Sequence, residues 1–216
     1  MKIAVSLHFQ KGYIANPYWP AREKLINIQK ESGINRVRSQ EKRPKVLDAY
    51  LKSKGLTLAD YQALEVTASR PFYTAGDVGL ATGNKDEIVV PAHHLHGMMA
   101  QGADLCPSAI RLARSEQIRT IAQFNDFRTG KTKADGVWDR FVTVKSGTGN
   151  KLSNQRSLRS DPYLSDLTAE GELTLVDDGQ EERARNFLAW AGREIGVGAG
   201  RKLGWGRFTI TKWAKI

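Results

Sequence analysis

The chain has 216 residues, 40% hydrophobic and 26% charged, which is enough to bury a substantial core in one elaborated domain. Its 33 Lys and Arg outnumber its 23 Asp and Glu and give a net charge of +10, a field that attracts polyanions and favours a nucleic acid partner. A single cysteine, Cys106, excludes an internal disulfide, and no stretch approaches the roughly 18 apolar residues of a membrane span, so we expect a cytoplasmic protein with no membrane partner.

The chain is predicted to open on a strand, because residues 2–9 alternate between apolar and polar side chains with a period of two. Residues 12–55 lose this pattern and are predicted to form an insertion. A short amphipathic helix over residues 45–54 is expected to close it. Cations gather in this insertion around Pro44: Arg36, Arg38, Lys42, Arg43 and Lys45.

The middle of the chain is predicted to alternate strands and helices. Residues 61–72 and 86–90 are predicted strands, and Pro91 favours a helix that runs from Ala92 towards Gly102. Weaker patterns predict a helix over residues 107–117 and strands over residues 119–127 and 140–144.

Residues 145–160 form a second basic segment, rich in Ser, Gly and Asn and without a single acid. This composition predicts a mobile hairpin or loop. Its cations are Lys145, Lys151, Arg156 and Arg159.

The C-terminal third has the clearest pattern. Residues 172–176 predict a strand, and Asp177 and Asp178 can cap the helix that follows. That helix is predicted from an apolar stripe at spacings of three, four and seven: Ala184, Phe187, Leu188, Ala191 and Ile195. A final strand is predicted from residue 208 onward, where Phe208 and Ile210 alternate with polar residues.

Between that helix and the final strand lies GVGAGRKLGWGR, residues 196–207, called the glycine loop below. The spacings of a P-loop and of a dinucleotide-binding loop do not fit, and both of those motifs precede a helix, whereas this loop follows one. Glycines permit positive φ angles and close backbone approach, cations supply charge, and tryptophan supplies a stacking face. We therefore expect a cradle for single-stranded nucleic acid, built from Gly196, Gly198, Gly200, Arg201, Lys202, Gly204, Trp205 and Arg207.

Two stretches carry a resemblance to a known family. Gly196, Gly198, Gly204 and Gly206 fit the spacing G-x-G-x-x-x-x-x-G-x-G, and with it the chain resembles the RAMP superfamily of CRISPR-associated proteins. Residues 88–97, IVVPAHHLHG, are similar to a strand-to-helix segment of the backbone subunits of these complexes. In those subunits the segment has the sequence pattern apolar, Pro, x, Ser, Ser, Leu, Lys, Gly. Pro91, Leu95 and Gly97 match this pattern, whereas His93, His94 and His96 depart from it.

The resemblance is nearest to the Cas-seven type and implies an α+β fold. This fold has an RRM-like or ferredoxin-like antiparallel sheet, helices on one face and inserted basic loops. The expected organisation is one domain over residues 1–216 with insertions at about 12–55 and 145–160.

The implied function is that of a guide (CRISPR) RNA-binding backbone subunit in a CRISPR effector ribonucleoprotein. Such a subunit polymerises along RNA through sequence-independent phosphate contacts, so RNA, further copies of itself and other effector subunits are the expected partners. The expected RNA contacts are the glycine loop, the three histidines and the cations of the two basic segments.

The three histidines also raise the question of a metal. They are spaced i, i+1 and i+3, whereas zinc ligands on a helix favour one face at i and i+4. We therefore expect neither a metal nor a cofactor.

Two alternatives stay open at the level of sequence. A metal-independent endoribonuclease of the Cas-six kind, also within this superfamily, needs a general base, for which His8, His93, His94 and His96 are candidates. A phage-borne mimic would share the sheet but act by binding a host CRISPR complex.

Overall fold

The computed structural model describes residues 1–15, 17, 19–146 and 153–216, with side chains except for those of residues 143–146 and 153–155. Lys151 therefore lies outside the described residues, as does the side chain of Lys145. The chain is an α+β protein with an antiparallel sheet. It divides into two compact units, one formed by Met1–Asn16 with Phe72–Ile216 and one by Pro17–Pro71.

The first unit contains every strand that the structure describes. The strands are β1 (Lys2–Phe9), β2 (Tyr73–Thr74), β3 (Ile88–Val90), β4 (Ala122–Phe124), β5 (Phe127–Arg128), β6 (Gly136–Ser146), β7 (Ser153–Tyr163), β8 (Leu167–Leu175) and β9 (Phe208–Lys215). The sheet order is β2-β3-β5-β8-β1-β9, and β4 also pairs with β8. β6 and β7 form a separate two-stranded hairpin.

Helices occur in both units. They are α1 (Pro20–Glu31), α2 (Lys42–Ser53), α3 (Leu58–Ser69), α4 (Ala92–Leu105), α5 (Ile118–Ile121) and α6 (Glu181–Glu194). Within the part of the chain that the structure describes, none of them is both long and apolar enough to span a membrane.

β1 is an inner strand of the sheet, paired with β8 on one side and with the edge strand β9 on the other, and its predicted bounds are confirmed. The alternation of its sequence sends Ile3, Val5, Leu7 and Phe9 into the core. On that side α4 contributes Leu95, Met98 and Met99, and α6 contributes Phe187, Leu188 and Ala191. The predicted apolar stripe of α6 is thus confirmed, and the other side of the sheet carries the polar residues of β1.

The second unit has a small core of its own. α1, α2 and α3 surround a cluster of buried side chains: Leu25, Ile28, Leu47, Leu51 and Tyr61. Because α3 supplies part of this core, the unit runs past residue 55 to residue 71. The helix predicted over residues 45–54 is present as α2 and begins earlier, at Lys42.

Two predictions for the middle of the chain are wrong. Residues 61–72, predicted as a strand, lie mainly in α3, because Thr57 and Asp60 form a capping box: each side chain accepts the backbone N–H of the other residue. The helix predicted over residues 107–117 is absent, since Pro107 and Ser108 open a series of turns that ends in a single 3-10 turn, Ser115–Gln117.

Candidate nucleic-acid interface

The glycine loop joins α6 to β9, and its five glycines all have positive φ. At Gly206 an added Cβ would lie 1.8 Å from the carbonyl oxygen of Val197, and at Gly198 it would lie 2.2 Å from that of Ile14. The glycines are therefore required first by the fold of the loop and by its packing on the segment after β1.

Six of the twelve backbone amides of this loop already have acceptors within the protein. The backbone N–H groups of Gly196, Val197, Ala199, Leu203, Gly204 and Gly206 donate to carbonyl oxygens inside the protein. Two of them, Ala199 and Gly206, donate at 2.8 Å to Ile14 and Gly12. These six amides do not face a ligand. The glycines therefore bring the backbone of the loop close to other parts of the protein itself.

Trp205 is an anchor rather than the exposed stacking face that we expected. It is 5% exposed, and its ring centroid lies 5.5 Å from that of Trp138 and 5.1 Å from that of Tyr163. The Nζ of Lys11 lies 5.0 Å from the same ring, in cation–π range. The indole therefore fixes the glycine loop to the base of the β6–β7 hairpin.

The glycine loop and the start of α4 border one groove of about 240 Å³. The residues that line it are His93, His94, Gly97, Met98, Gln101, Val197, Gly198 and Arg201. Arg201 donates from Nη1 to Oε1 of Gln101 at 2.8 Å, which holds its guanidinium against α4. The two stretches that carry the sequence resemblance therefore meet in space.

Two of the three neighbouring histidines face this groove. Nδ1 of His94 lies 2.8 Å from the hydroxyl oxygen of Tyr13, which is fully buried. Burial raises the pKa of Tyr13, so the hydroxyl stays protonated. The ring of His93 lies 4.6 Å from that of His94, and desolvation lowers the pKa of His93, so this ring is neutral near pH 7.

His96 and His8 do not line the groove, and their side chains contact other parts of the sheet. Nε2 of His96 accepts the backbone N–H of Phe124 at 3.2 Å and lies 3.1 Å from the carbonyl oxygen of Ala122. Desolvation lowers the pKa of His96 and favours the neutral ring. His8 lies on the polar side of β1, where Nδ1 is 3.4 Å from the Thr168 hydroxyl. His96 is therefore part of the link between α4 and the sheet, and it does not line the groove.

The N-terminus of α4 has a partner that sequence analysis missed. The backbone N–H of Ala92 donates to the carboxylate of Asp126 at 2.7 Å. An anionic group thus already occupies the first turn of the helix. Its negative charge disfavours a phosphate at this first turn.

The hairpin cations differ from one another. Arg159 and Arg140 both pair with Asp161, at 2.6 and 2.9 Å, and Asp161 is buried. Asp161 therefore compensates part of the charge of Arg159, whereas Arg156 forms no ion pair within the described residues; both arginines are exposed. Lys145 and Lys151 fall outside the side chains that the structure describes.

The other expected contacts fall into two groups. Lys202 is exposed and Arg207 is half-buried, both in the glycine loop. The four expected contacts in the second unit are all exposed: Arg36, Arg38, Lys42 and Arg43. Across the described ranges, no three His, Cys, Asp or Glu side chains come together in a group that could hold a metal ion.

No protein-family model and no curated protein matches the sequence. Among solved structures, a chain in the cryo-EM structure of the Type III-B Cmr-beta bound to cognate target RNA is 9% identical, with a TM-score of 0.47; the alignment covers 98% of this chain and 59% of that one. The crystal structure of Cmr6 from Pyrococcus furiosus is 14% identical, with a TM-score of 0.33 and coverage of 100% and 98%. The chain thus spans 59% of the length of the Cmr-beta chain.

Proposed function

We propose that the chain is a RAMP-type, guide RNA-binding backbone subunit of a CRISPR effector ribonucleoprotein. The observation that carries this proposal is the groove between the glycine loop and α4, with Arg201 held against Gln101 at its side. A groove that joins a fixed guanidinium to neighbouring imidazoles suits a phosphodiester, because Arg and neutral His both offer N–H donors.

The chemistry of the groove favours binding without base recognition. Arg201 and the exposed Lys202 supply positive charge, and Coulomb attraction to phosphates is independent of sequence. At Gly97 an added Cβ would meet nothing within 4 Å, so α4 presents bare backbone to the groove. The absence of a side chain at Gly97 leaves room for a sugar-phosphate backbone to approach α4 closely.

The strand order supports the finer fold that the resemblance implies. β4 and β5 flank β8, β8 flanks β1, and β1 flanks β9, with α4 and α6 as the connecting helices. This is the order of a ferredoxin-like β-α-β-β-α-β sheet. The side of β8 that faces away from α4 and α6 carries Glu170 and Glu172, whose charge disfavours RNA there and favours the groove.

The hairpin supports contact with other subunits. Phe141 and Leu158 lie directly opposite each other on β6 and β7 and are 73% and 60% exposed. Large apolar side chains paired on an exposed ribbon gain from burial against a partner. We propose that a further copy of the chain, or another effector subunit, covers this face as the proteins assemble along RNA.

A double charge reversal tests the groove. Arg201→Glu with Lys202→Glu is expected to abolish retention of single-stranded RNA, while the melting temperature stays nearly unchanged, because exposed charges contribute little to stability. The matched control is Lys2→Glu with Lys212→Glu, the same change on two exposed residues of β1 and β9. RNA bound by the groove variant as tightly as by wild type would exclude the groove.

The endoribonuclease alternative narrows to His93 and His94, since these two histidines line the groove beside Arg201. Metal-independent cleavage would require one of them to accept the 2'-hydroxyl proton and the guanidinium to stabilise the phosphorane charge. Incubation of labelled repeat RNA with the protein in EDTA decides this: cleavage that His93→Ala or His94→Ala stops without loss of binding would favour the enzyme.

A further inference from the structure

The second unit carries a concentrated positive patch, here called the basic cluster. It consists of the exposed residues Arg36, Arg38, Lys42, Arg43 and Lys45. The glycine loop and the groove of the first unit do not include it, and the small apolar core of its own unit leaves it in solvent.

The cluster is held together by its backbone. Arg36 ends a 3-10 turn, and the Nε of Arg43 donates to the carbonyl oxygen of Val37 at 2.9 Å. The N–H of Lys42 donates to Ser39. These bonds bring the segment before α2 back onto the first turn of that helix.

The cations of the cluster differ from other cations in the same unit. Lys52 pairs with Asp48 at 2.8 Å, and Lys54 pairs with Glu31 at 3.6 Å. Among the residues that the structure describes, none of the five cluster cations forms an ion pair. Their mutual repulsion is therefore relieved by no direct ion pair, and Glu41 is the one acid among residues 36–45.

The position of the cluster on α2 adds to this cost. Lys42, Arg43 and Lys45 lie at the start of the helix, which has no acid in its first turn, and Glu41 makes no side-chain cap. Cations at the positive end of the helix dipole are unfavourable. A bound anion relieves both the dipole interaction and the repulsion among the side chains.

We propose that the basic cluster is a second phosphate-binding site for RNA, additional to the groove. The proposal rests on the RNA-binding function proposed above and extends it to the second unit. Residues 36–45 contain no aromatic side chain, so bases find no stacking partner within the cluster itself, and contacts to the phosphates make recognition independent of sequence.

The salt dependence of RNA binding tests this site in the full chain. The variant Arg36→Gln, Arg38→Gln, Lys42→Gln, Lys45→Gln removes four charges and spares Arg43, whose Nε bonds to Val37. On a single-stranded oligouridylate, the slope of log Kd against log salt should fall by about 0.7 for each phosphate that the variant no longer neutralises. The matched control, also four charges in the same unit, is Lys24→Gln, Lys30→Gln, Lys52→Gln, Lys54→Gln.

A slope that is unchanged in the cluster variant, or that falls equally in the control, would overturn the proposal. The groove variant Arg201→Glu with Lys202→Glu distinguishes this proposal from the proposed function. If the groove variant loses RNA binding while the cluster variant keeps the wild-type slope, the second site is excluded and the proposed function still holds. If the cluster variant keeps its RNA slope but loses binding to polyglutamate, the cluster serves an acidic protein instead.

A charge reversal at the start of α2 gives a second readout. Lys42→Glu with Lys45→Glu places acids at the positive end of the helix dipole, so the melting temperature should rise while RNA affinity falls. A purely structural role for these lysines predicts a lower melting temperature. An increase in stability with unchanged RNA affinity would contradict the proposed site.

Discussion

The guanidinium of Arg201 and the side-chain amide oxygen of Gln101 lie 2.8 Å apart and link the glycine loop to α4 across 100 residues of sequence. The bond fixes a flexible cation beside the groove without neutralising it. Gln101 is thus a positioning residue for a charge that lies on a different element.

Changes at Gln101 should alter RNA affinity in graded steps. Gln101→Ala leaves the charge of Arg201 but removes its hydrogen bond, so we expect affinity to fall about 2- to 10-fold, the range of a net hydrogen bond. Gln101→Glu should weaken binding further, because a carboxylate beside Arg201 competes with phosphate. Fluorescence anisotropy with labelled single-stranded RNA measures both effects, and wild-type affinity in Gln101→Glu would contradict the positioning role.

Trp205→Phe should be tolerated, and Trp205→Ala should not. Within the described residues the indole Nε1 is buried without a hydrogen-bond partner, so its removal relieves part of a penalty of about 1–3 kcal/mol while an aromatic ring is kept. Loss of the whole ring should cost about 3–5 kcal/mol. Urea unfolding of the two variants measures this difference, and strong destabilisation by Trp205→Phe would show that Nε1 has an acceptor.

Two glycines of the same loop should respond differently to alanine. At Gly204 the nearest atom to an added Cβ is 4.0 Å away, so Gly204→Ala should cost only the left-handed strain of about 1–2 kcal/mol. At Gly206 the Cβ would lie 1.8 Å from the carbonyl oxygen of Val197, so Gly206→Ala should cost well beyond that amount. Equal free energies of unfolding for the two variants would rule out this packing of the loop.

The stability of the protein should fall as the solution is acidified through the pKa of His96. Desolvation holds the folded pKa of His96 below the ordinary value of 6.5, so below pH 6.5 the unfolded chain binds more protons than the folded one. Unfolding is then favoured as pH falls from 6.5 towards the folded pKa, and this contribution is fully restored above 6.5. Melting curves between pH 5 and 8 test it; His96→Leu should show a shallower slope and a lower plateau.

Strong periodic patterns were sufficient to predict β1, α6 and β9, because each buries one face and leaves the other in water. The error over residues 61–72 has a physical cause. α3 carries apolar residues around much of its circumference, so its sequence has no clean helical period. The capping box of Thr57 and Asp60 was a readable signal for a helix at this place.

The candidate site was predictable as a pair of segments but not as a set of contacts. The glycine spacing and the motif around Pro91 indicated two stretches, and the structure brings both to one groove. The burial of Trp205 was not predictable, since it depends on Trp138 and Tyr163 far away in sequence. Asp126 and Gln101 carry no motif, and only the tertiary structure shows that Asp126 accepts a hydrogen bond from the start of α4 and that Gln101 accepts one from Arg201.

The position of β1 between β8 and β9 constrains how the protein folds during synthesis. Its two partners, β8 and β9, are synthesised long after it, and Ile3 pairs with Leu173 on one edge and with Lys215 on the other. Until then the nascent chain has a strand with two open edges, a form prone to pair with other chains. The glycine loop lies directly before β9, so the pairing of β9 with β1 holds one wall of the groove in place.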